Sequence, residues 1–219
     1  MSTARKTILD NITRALGPST LDNAAIRAQA DALIADPDRF QPKFKDQPNV
    51  ERFIEKATSE RVTATVTMID TYERVPTAVA AYAAQNALEP SAALQPREKL
   101  TRLDWTGLKT HHELAANEPL AISLADFAIA ETGSIVVCSA PDAPILMNFL
   151  PLHHIVVVEK TQIHCNLDDA FTSLGVTRET QPRNLCIITG TSGTADIEAK
   201  NIRGAHGPRF MHIVIIGRP

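Results

Sequence analysis

The chain is poor in cysteine and has no long apolar run. Three of its 219 residues are cysteine, Cys138, Cys165 and Cys186, far apart and never in a CxxC pair. An odd, scattered set suits a reducing compartment. It carries no iron–sulfur signature, because such clusters need several thiolates at short fixed spacing. Cys138 and Cys186 lie in or at the end of apolar runs and read as small core residues. No stretch approaches the roughly 18 apolar residues of a membrane span. The first ten residues mix small, charged and apolar side chains, without the apolar centre of a signal peptide. Neither charge dominates: the formal net charge is −3, which points to neither nucleic acid nor an anionic membrane. No GxGxxG opens a βαβ unit and no GxxxxGK[ST] occurs, which argues against a Rossmann nicotinamide site and a P-loop. What is present, 44% apolar and 21% charged residues, is ordinary for a cytoplasmic globular protein large enough to bury a real core.

Along the chain, residues 1–60 read as a polar helical segment. Ile8, Ile12 and Leu16 fall at helical spacing before Gly17-Pro18. A second helix spans Asp22 to Ala35, and a third, Asn49 to Ser59, carries Val50, Phe53, Ile54 and Ala57 on one face. These helices are compatible with packing on a core, covering a site or meeting another subunit, so a homo-oligomer stays open. Residues 61–219 alternate strand and helix patterns. Val62–Val66 reads as a strand and Val75–Ala87 as a helix starting near Pro76. Two apolar runs, Ala121–Ala130 and Ser134–Cys138, flank a Glu131-Thr132-Gly133 turn as paired strands would. Pro141–Phe149 suggests a short helix, His154–Val158 a buried strand, Leu167–Leu174 a helix, and Leu185–Ile188 and Met211–Ile216 strands. The pattern predicts an α/β fold with a mostly parallel sheet flanked by helices.

The apolar run Leu185–Ile188 stops at Gly190-Thr191-Ser192-Gly193-Thr194, which leads into Ala195-Asp196-Ile197-Glu198. Strand, small polar loop and acidic helix N-terminus is an arrangement that aims backbone N–H groups at an anion. The plainer reading is a tight connection capped by Ser192 or Thr194. Glu131 suits a nucleophile or base, or equally a turn carboxylate. His206, between Ala205 and Gly207-Pro208, is the most site-like of the seven histidines, its imidazole suited to proton transfer or an anion contact. His153 and His154 open a strand and must face opposite sides of a sheet. Asp196 and Glu198 are explained by the helix dipole without a metal. His111-His112 reads as exposed surface.

Four segments, Ala130-Glu131-Thr132-Gly133, Leu150-Pro151-Leu152-His153-His154-Ile155, Thr194-Ala195-Asp196-Ile197-Glu198 and Gly204-Ala205-His206-Gly207-Pro208, resemble in order and spacing the LUD-domain family, in its lactate utilization protein C branch. The resemblance covers roughly residues 60–219. It implies a fold like that of glucosamine-6-phosphate deaminase, ribose-5-phosphate isomerase and the CoA transferases. It also implies work in bacterial oxidation of L-lactate to pyruvate beside iron–sulfur partner proteins, with no cofactor in this chain itself. The family's loop commonly has proline and arginine where Thr191 and Gly193 stand here, so an anionic ligand falls to backbone amides, Lys200, Arg203 or Arg209. The expected site joins Glu131 and His206 as reactive groups with Thr132, Gly133, Gly190, Thr191, Ser192, Gly193, Thr194 and Gly207 as ligand contacts, and no metal. The alternative is an enzyme of the CoA-transferase or ligase kind with Glu131 as nucleophile or base and the loop amides holding phosphate.

Overall fold

The computed structural model describes residues 3–17, 22–36, 39, 44, 47–175, 177, 179–195, 201–204 and 206–218. The chain divides into two compact units, Met1–Phe44 and Lys45–Pro219. The first holds helices α1 (Thr3–Leu16) and α2 (Asn23–Ala35). The Asp22 carboxylate caps α2 by accepting the Ala25 N–H at 2.6 Å. Ile8, Ile12 and Leu16 on α1 and Leu33 and Ile34 on α2 are exposed.

The second unit begins with α3 (Asn49–Ala57) and continues through α4 (Val75–Gln85), α5 (Glu98–Thr101) and α6 (Leu167–Leu174). The strands of its main sheet are β1 (Thr65–Ile69), β2 (Ser91–Leu94), β3 (Lys109–His111), β4 (Leu120–Leu124), β7 (His153–Glu159) and β12 (Phe210–Ile216). They lie in the order β1-β12-β7-β4-β2-β3, every neighbouring pair parallel. A second sheet orders β8 (Ile163–His164), β5 (Phe127–Ile129), β6 (Ser134–Cys138) and β9 (Leu185–Ile188), with β5–β6 and β6–β9 antiparallel. The hairpin β10 (Gly193–Ala195) and β11 (Asn201–Arg203) stands apart.

Alternation along the buried strands builds the layers. Ile155 and Val157 of β7 join Val75, Val79 and Tyr82 of α4 in one core, while Val156 and Val158 join Phe53 and Ala57 of α3 and Ile135 of β6 in another. Val136, one residue on, faces α6 with Phe127, Ile129 and Ala170. One face of the parallel sheet is therefore covered by helices, and the other by α3 together with the second sheet. The third helix belongs to this unit: Phe53 is fully buried in its core.

The apolar run 121–130 is not one strand. It breaks at Ala125-Asp126, leaving β4 in the parallel sheet and β5 in the second one. The Asp126 carboxylate fixes the break, accepting the Cys138 N–H at 2.6 Å and the Arg97 guanidinium at 3.0 Å. The first strand also starts later than its alternation suggests, because Thr63 takes a left-handed conformation, φ +59°, before Thr65 enters the sheet.

Candidate functional site

After α3 the chain folds back, the Ala57 carbonyl accepting the Ala64 N–H at 3.0 Å, and this 58–64 loop is where the distant motifs meet. Gly133 is buried against the end of α3, the place of a Cβ lying 2.5 Å from the Ala57 nitrogen. The turn is tied to the end of β9 by hydroxyls: Thr132 Oγ1 to Ser134 Oγ and Ser134 Oγ to Thr189 Oγ1, each 2.7 Å. Thr191 Oγ1 bonds Thr63 Oγ1 at 2.7 Å. The Ser192 N–H donates to the Pro208 carbonyl at 2.9 Å, and Gly207 lies against the Ser192 side chain. The Glu-Thr-Gly turn, the Gly190–Thr194 loop and the Gly207-Pro208 motif thus share one neighbourhood.

The loop does not cradle an anion in the way its composition suggests. The Thr191 N–H donates to the Val62 carbonyl at 3.2 Å and the Ser192 N–H to Pro208, so both amides are spent inside the protein. Gly190, at φ +80°, does permit a close backbone approach, but the approaching group is Val62: its carbonyl oxygen lies 1.9 Å from where a Cβ would sit. Nor does the strand lead directly into a helix. Gly193–Ala195 pairs antiparallel with Asn201–Arg203, with Gly193 opposite Arg203. Gly193 and Thr194 are exposed on this hairpin. Asp196, Ile197, Glu198 and Lys200, and with them the expected helix N-terminus, lie outside the described residues, as does Ala205. His206 is exposed.

Beside the loop, at the amino ends of β1 and β12, is a cavity of about 460 Å³. Among the described residues, Arg203 and Arg209 line it with Thr63, Thr65, Thr67 and Thr191, and no carboxylate does. With neutral histidine its lining carries two positive charges, an environment that attracts an anion and offers the guanidinium forks that pair with carboxylate or phosphate. Val66, Phe210 and Met211 supply an apolar side. Thr63 holds its left-handed backbone on the rim. A β-branched residue there costs on the order of 1–3 kcal/mol, and such strain is concentrated at ligand clamps.

The inner wall is an aromatic and imidazole stack. Tyr82 of α4 stacks on His212 at 4.6 Å, and His153 stacks on Phe210 at 4.4 Å. The Tyr82 hydroxyl and His153 Nδ1 share a hydrogen bond of 2.9 Å, and Thr65 Oγ1 bonds His212 Nδ1 at 2.7 Å. Burial pushes the His212 imidazole down to about 4 and lowers His153 as well, and it pushes the Tyr82 phenol up to about 12. At neutral pH all three are uncharged, so the net charge of the cavity is that of its arginines. His154, on the opposite face of β7, bonds Ser123 Oγ through Nε2 at 2.7 Å and is 1% exposed. The two adjacent histidines therefore divide as the strand geometry requires: His153 packs behind the cavity wall against Tyr82 and Phe210, and His154 lies in the core on the other face.

Glu131 and Thr132 line a separate cavity of about 630 Å³ with Lys56, Arg61, Val62 and Thr189. The two cavities share a wall, the paired segments Val62-Thr63 and Thr189–Thr191. Among the described residues no three His, Cys, Asp or Glu side chains come together as metal ligands would, and no helix is long and apolar enough to cross a membrane.

Arg203 and Arg209 stand out in the sequence because they flank the Gly204–Pro208 motif. Tyr82, Thr65 and His212 do not. His212 is a polar residue inside an apolar strand, and only the pairing of Thr65 with His212 shows that it opens into a cavity.

Comparison with known proteins fits this architecture. The LUD domain model matches residues 50–216. A lactate utilization protein C from Halalkalibacterium halodurans is 25% identical over 98% of both chains. An uncharacterized protein from Neisseria meningitidis is 30% identical over 48% of this chain and 45% of its own length. A lactate utilization protein C from Exiguobacterium is 30% identical over 48% of this chain and 46% of its own length. The chain thus spans about half the length of these last two relatives. In fold it is similar to the crystal structure of a DUF162 family protein from Deinococcus radiodurans, with a TM-score of 0.57, 18% identity, and coverage of 77% of this chain and 96% of that one. A match across residues 50–216, together with the parallel sheet that carries it, places the chain in the LUD-domain family.

Proposed function

We propose that this chain is the non-redox component of an L-lactate utilization system, binding a small anion, a carboxylate of the lactate–pyruvate kind, and acting beside iron–sulfur partner proteins. The observation that carries the reading is the amino-edge cavity: among the described residues its lining joins Arg203 and Arg209 with four threonines and no acid. The names of the relatives, lactate utilization protein C, supply the metabolic setting. In this reading the guanidinium groups hold the carboxylate, the Thr63, Thr65 and Thr191 hydroxyls take its remaining lone pairs or a 2-hydroxyl, and neutral His212 offers a polar contact that adds no competing charge.

The test is calorimetric titration of the full chain with lactate and pyruvate at low and high salt. Binding is expected to weaken with salt, and Arg203→Gln or Arg209→Gln is expected to weaken it about 10- to 100-fold, the loss of one charge-assisted contact. Arginine variants that bind as the wild type does would remove the reading. Co-purification with the iron–sulfur proteins tests the partners separately. The enzyme alternative rests on Glu131, which sits in its own cavity beside Lys56 and Arg61. It has lost two of the loop amides that it needs to hold phosphate. Glu131→Gln that abolishes acyl transfer to CoA while anion binding survives would favour it.

A further inference from the structure

The parallel sheet ends differently at its two edges. β3, the outer strand on one side, is three residues long and carries Lys109 and His111, the short, charged form that blunts an edge. β1, on the other side, is Thr65-Val66-Thr67-Met68-Ile69, five residues with no charge, no proline and an unbroken register. None of its residues is buried, whereas six of the seven in β12 beside it are. Among the described residues no strand pairs beyond it. Such an edge is a template for another strand.

The hydrogen-bonding pattern fixes which groups are on offer. The Ile69 carbonyl accepts the Gly217 N–H at 2.9 Å, so Ile69 turns its peptide groups towards β12, and by alternation Thr67 and Thr65 do the same. Val66 and Met68 therefore turn theirs outwards, one on each side of Thr67. A second β1 laid antiparallel across a two-fold axis at Thr67 sets Val66 opposite the partner's Met68, and Met68 opposite the partner's Val66. Each pair exchanges both of its N–H···O bonds, and Thr67 meets the partner's Thr67 in the closer, non-bonded pair between them.

The surface beside the edge suits the same partner. A groove of about 410 Å³ lies between Thr67, Met68 and Ile69 and the small residues Thr77, Ala78 and Ala81 of α4. Side chains directly opposite in a sheet share a face, so the partner's Thr65, Thr67 and Ile69 enter this groove. α4 has no charged residue from Val75 to Gln85, and its exposed positions Thr77, Ala80, Ala81 and Ala84 are small, where a solvent-facing helix carries charge. Arg74, at the start of α4, falls on the side where the partner's α4 ends, since Gln85 and Asn86 lie beside Thr63 and Thr65. A helix carboxyl end favours a cation.

We infer that β1 pairs antiparallel with β1 of a second copy of this chain, joining two six-stranded sheets into one across Thr67. A partner of another kind needs an equally open edge beside an uncharged face, and a second copy supplies both by symmetry.

Sedimentation velocity on the full chain tests it. At about 100 μM, a hundredfold above a micromolar dissociation constant, the species is expected at twice 23.8 kDa. Only at the axis does a residue face itself. Thr67→Asp and Thr67→Lys each set like charges opposite one another there and are expected to weaken dimerisation roughly 100-fold. Mixed in equal amounts, the two variants set Asp against Lys and are expected to restore a dimer containing one of each. Thr67→Cys is expected to cross-link to its own counterpart on mild oxidation, because the Cα separation in a non-bonded pair, about 4.5 Å, is within disulfide range. Near-ultraviolet circular dichroism checks that each variant is folded; should a charge variant misfold, the cross-link at position 67 decides, and its absence overturns the pairing. A monomeric wild-type chain would overturn the inference. So would a dimer that both charge variants leave intact, which would put the contact on another face such as the exposed apolar residues of α1 and α2. Folded charge variants that stay monomeric when mixed would overturn the register.

Discussion

Replacing Gly190 by alanine probes the wall between the two cavities directly. The added Cβ would meet three backbone atoms of Val62, the carbonyl oxygen at 1.9 Å, the carbonyl carbon at 2.6 Å and Cα at 2.8 Å. None of these can rotate away as a side chain would, and the Val62 segment is held by the Thr191 N–H and by the Ala64–Ala57 hydrogen bond. Two costs add. A side chain at φ +80° costs roughly 1–2 kcal/mol, and forcing packed backbone apart costs roughly 1–3 kcal/mol more. Alanine recovers about 0.5 kcal/mol through a less disordered unfolded chain. The net expectation is about 2–4 kcal/mol of destabilisation, on the order of 5–15 °C in melting temperature for a domain of this size. The assay is urea denaturation followed by the fluorescence of Trp105, the single tryptophan, which packs against the α4 core. Gly175→Ala is the internal control. Its φ is +57° but no atom lies within 4 Å of the added Cβ, so it carries the conformational cost alone, about 1 kcal/mol. If the two variants lose the same stability, Val62 does not abut Gly190 and the shared wall is wrong.

Stability should be level from pH 6.5 to about 8, below the ordinary thiol range, and fall as the pH drops from 6.5 towards 4. The unfolded chain takes up protons on His154 and His212 near 6.5, whereas burial holds both folded imidazoles at about 4, so the unfolded state binds more protons throughout that window. Urea midpoints at pH 7, 6 and 5 check this, and His212→Gln should reduce the slope by close to one proton, about 1.4 kcal/mol per pH unit. A fragment beginning at residue 45 should keep the near-ultraviolet circular dichroism of the full chain, whose tryptophan and tyrosines it retains, whereas one beginning at residue 61 should not, because it lacks α3. Phe53→Ala in the whole chain, which opens a cavity at a fully buried position, should cost about 3–5 kcal/mol by the same denaturation.

What the sequence displays best is burial along a strand. Ile155–Val158 and Ile213–Ile216 are continuous apolar runs because both faces of the parallel sheet are covered, and their place in the sheet follows from that. The split of residues 121–130 between two sheets is hidden, since it depends on one carboxylate reaching a backbone N–H twelve residues away and a guanidinium on another loop. The strand Gly193–Ala195 is hidden for a related reason. Glycine, serine and threonine mark a turn after Gly190, but the strand that follows depends on its partner Asn201–Arg203, and the expected helix start at 196–198 lies outside the described residues. The third helix is legible as an amphipathic stripe, yet its periodicity does not say which unit receives the apolar face. At the site, the clustered glycines and histidine mark the right neighbourhood. The groups that border the anion cavity, Thr65, Tyr82 and His212, come from elements 147 residues apart at the widest and acquire meaning only through register.

The position of β12 has a consequence for how the protein is made. This strand is the last of the sheet in chain order yet lies inside it, between β1 and β7. Until residue 216 has cleared the ribosome, β1 has no neighbour to pair with and β7 presents an open, apolar edge. The nascent chain thus carries two unjoined pieces of a sheet for most of its synthesis, and the step that joins them is a late, long-range insertion. Chaperone dependence, and the sensitivity of expression yield to changes in residues 210–216, should both trace to that interval.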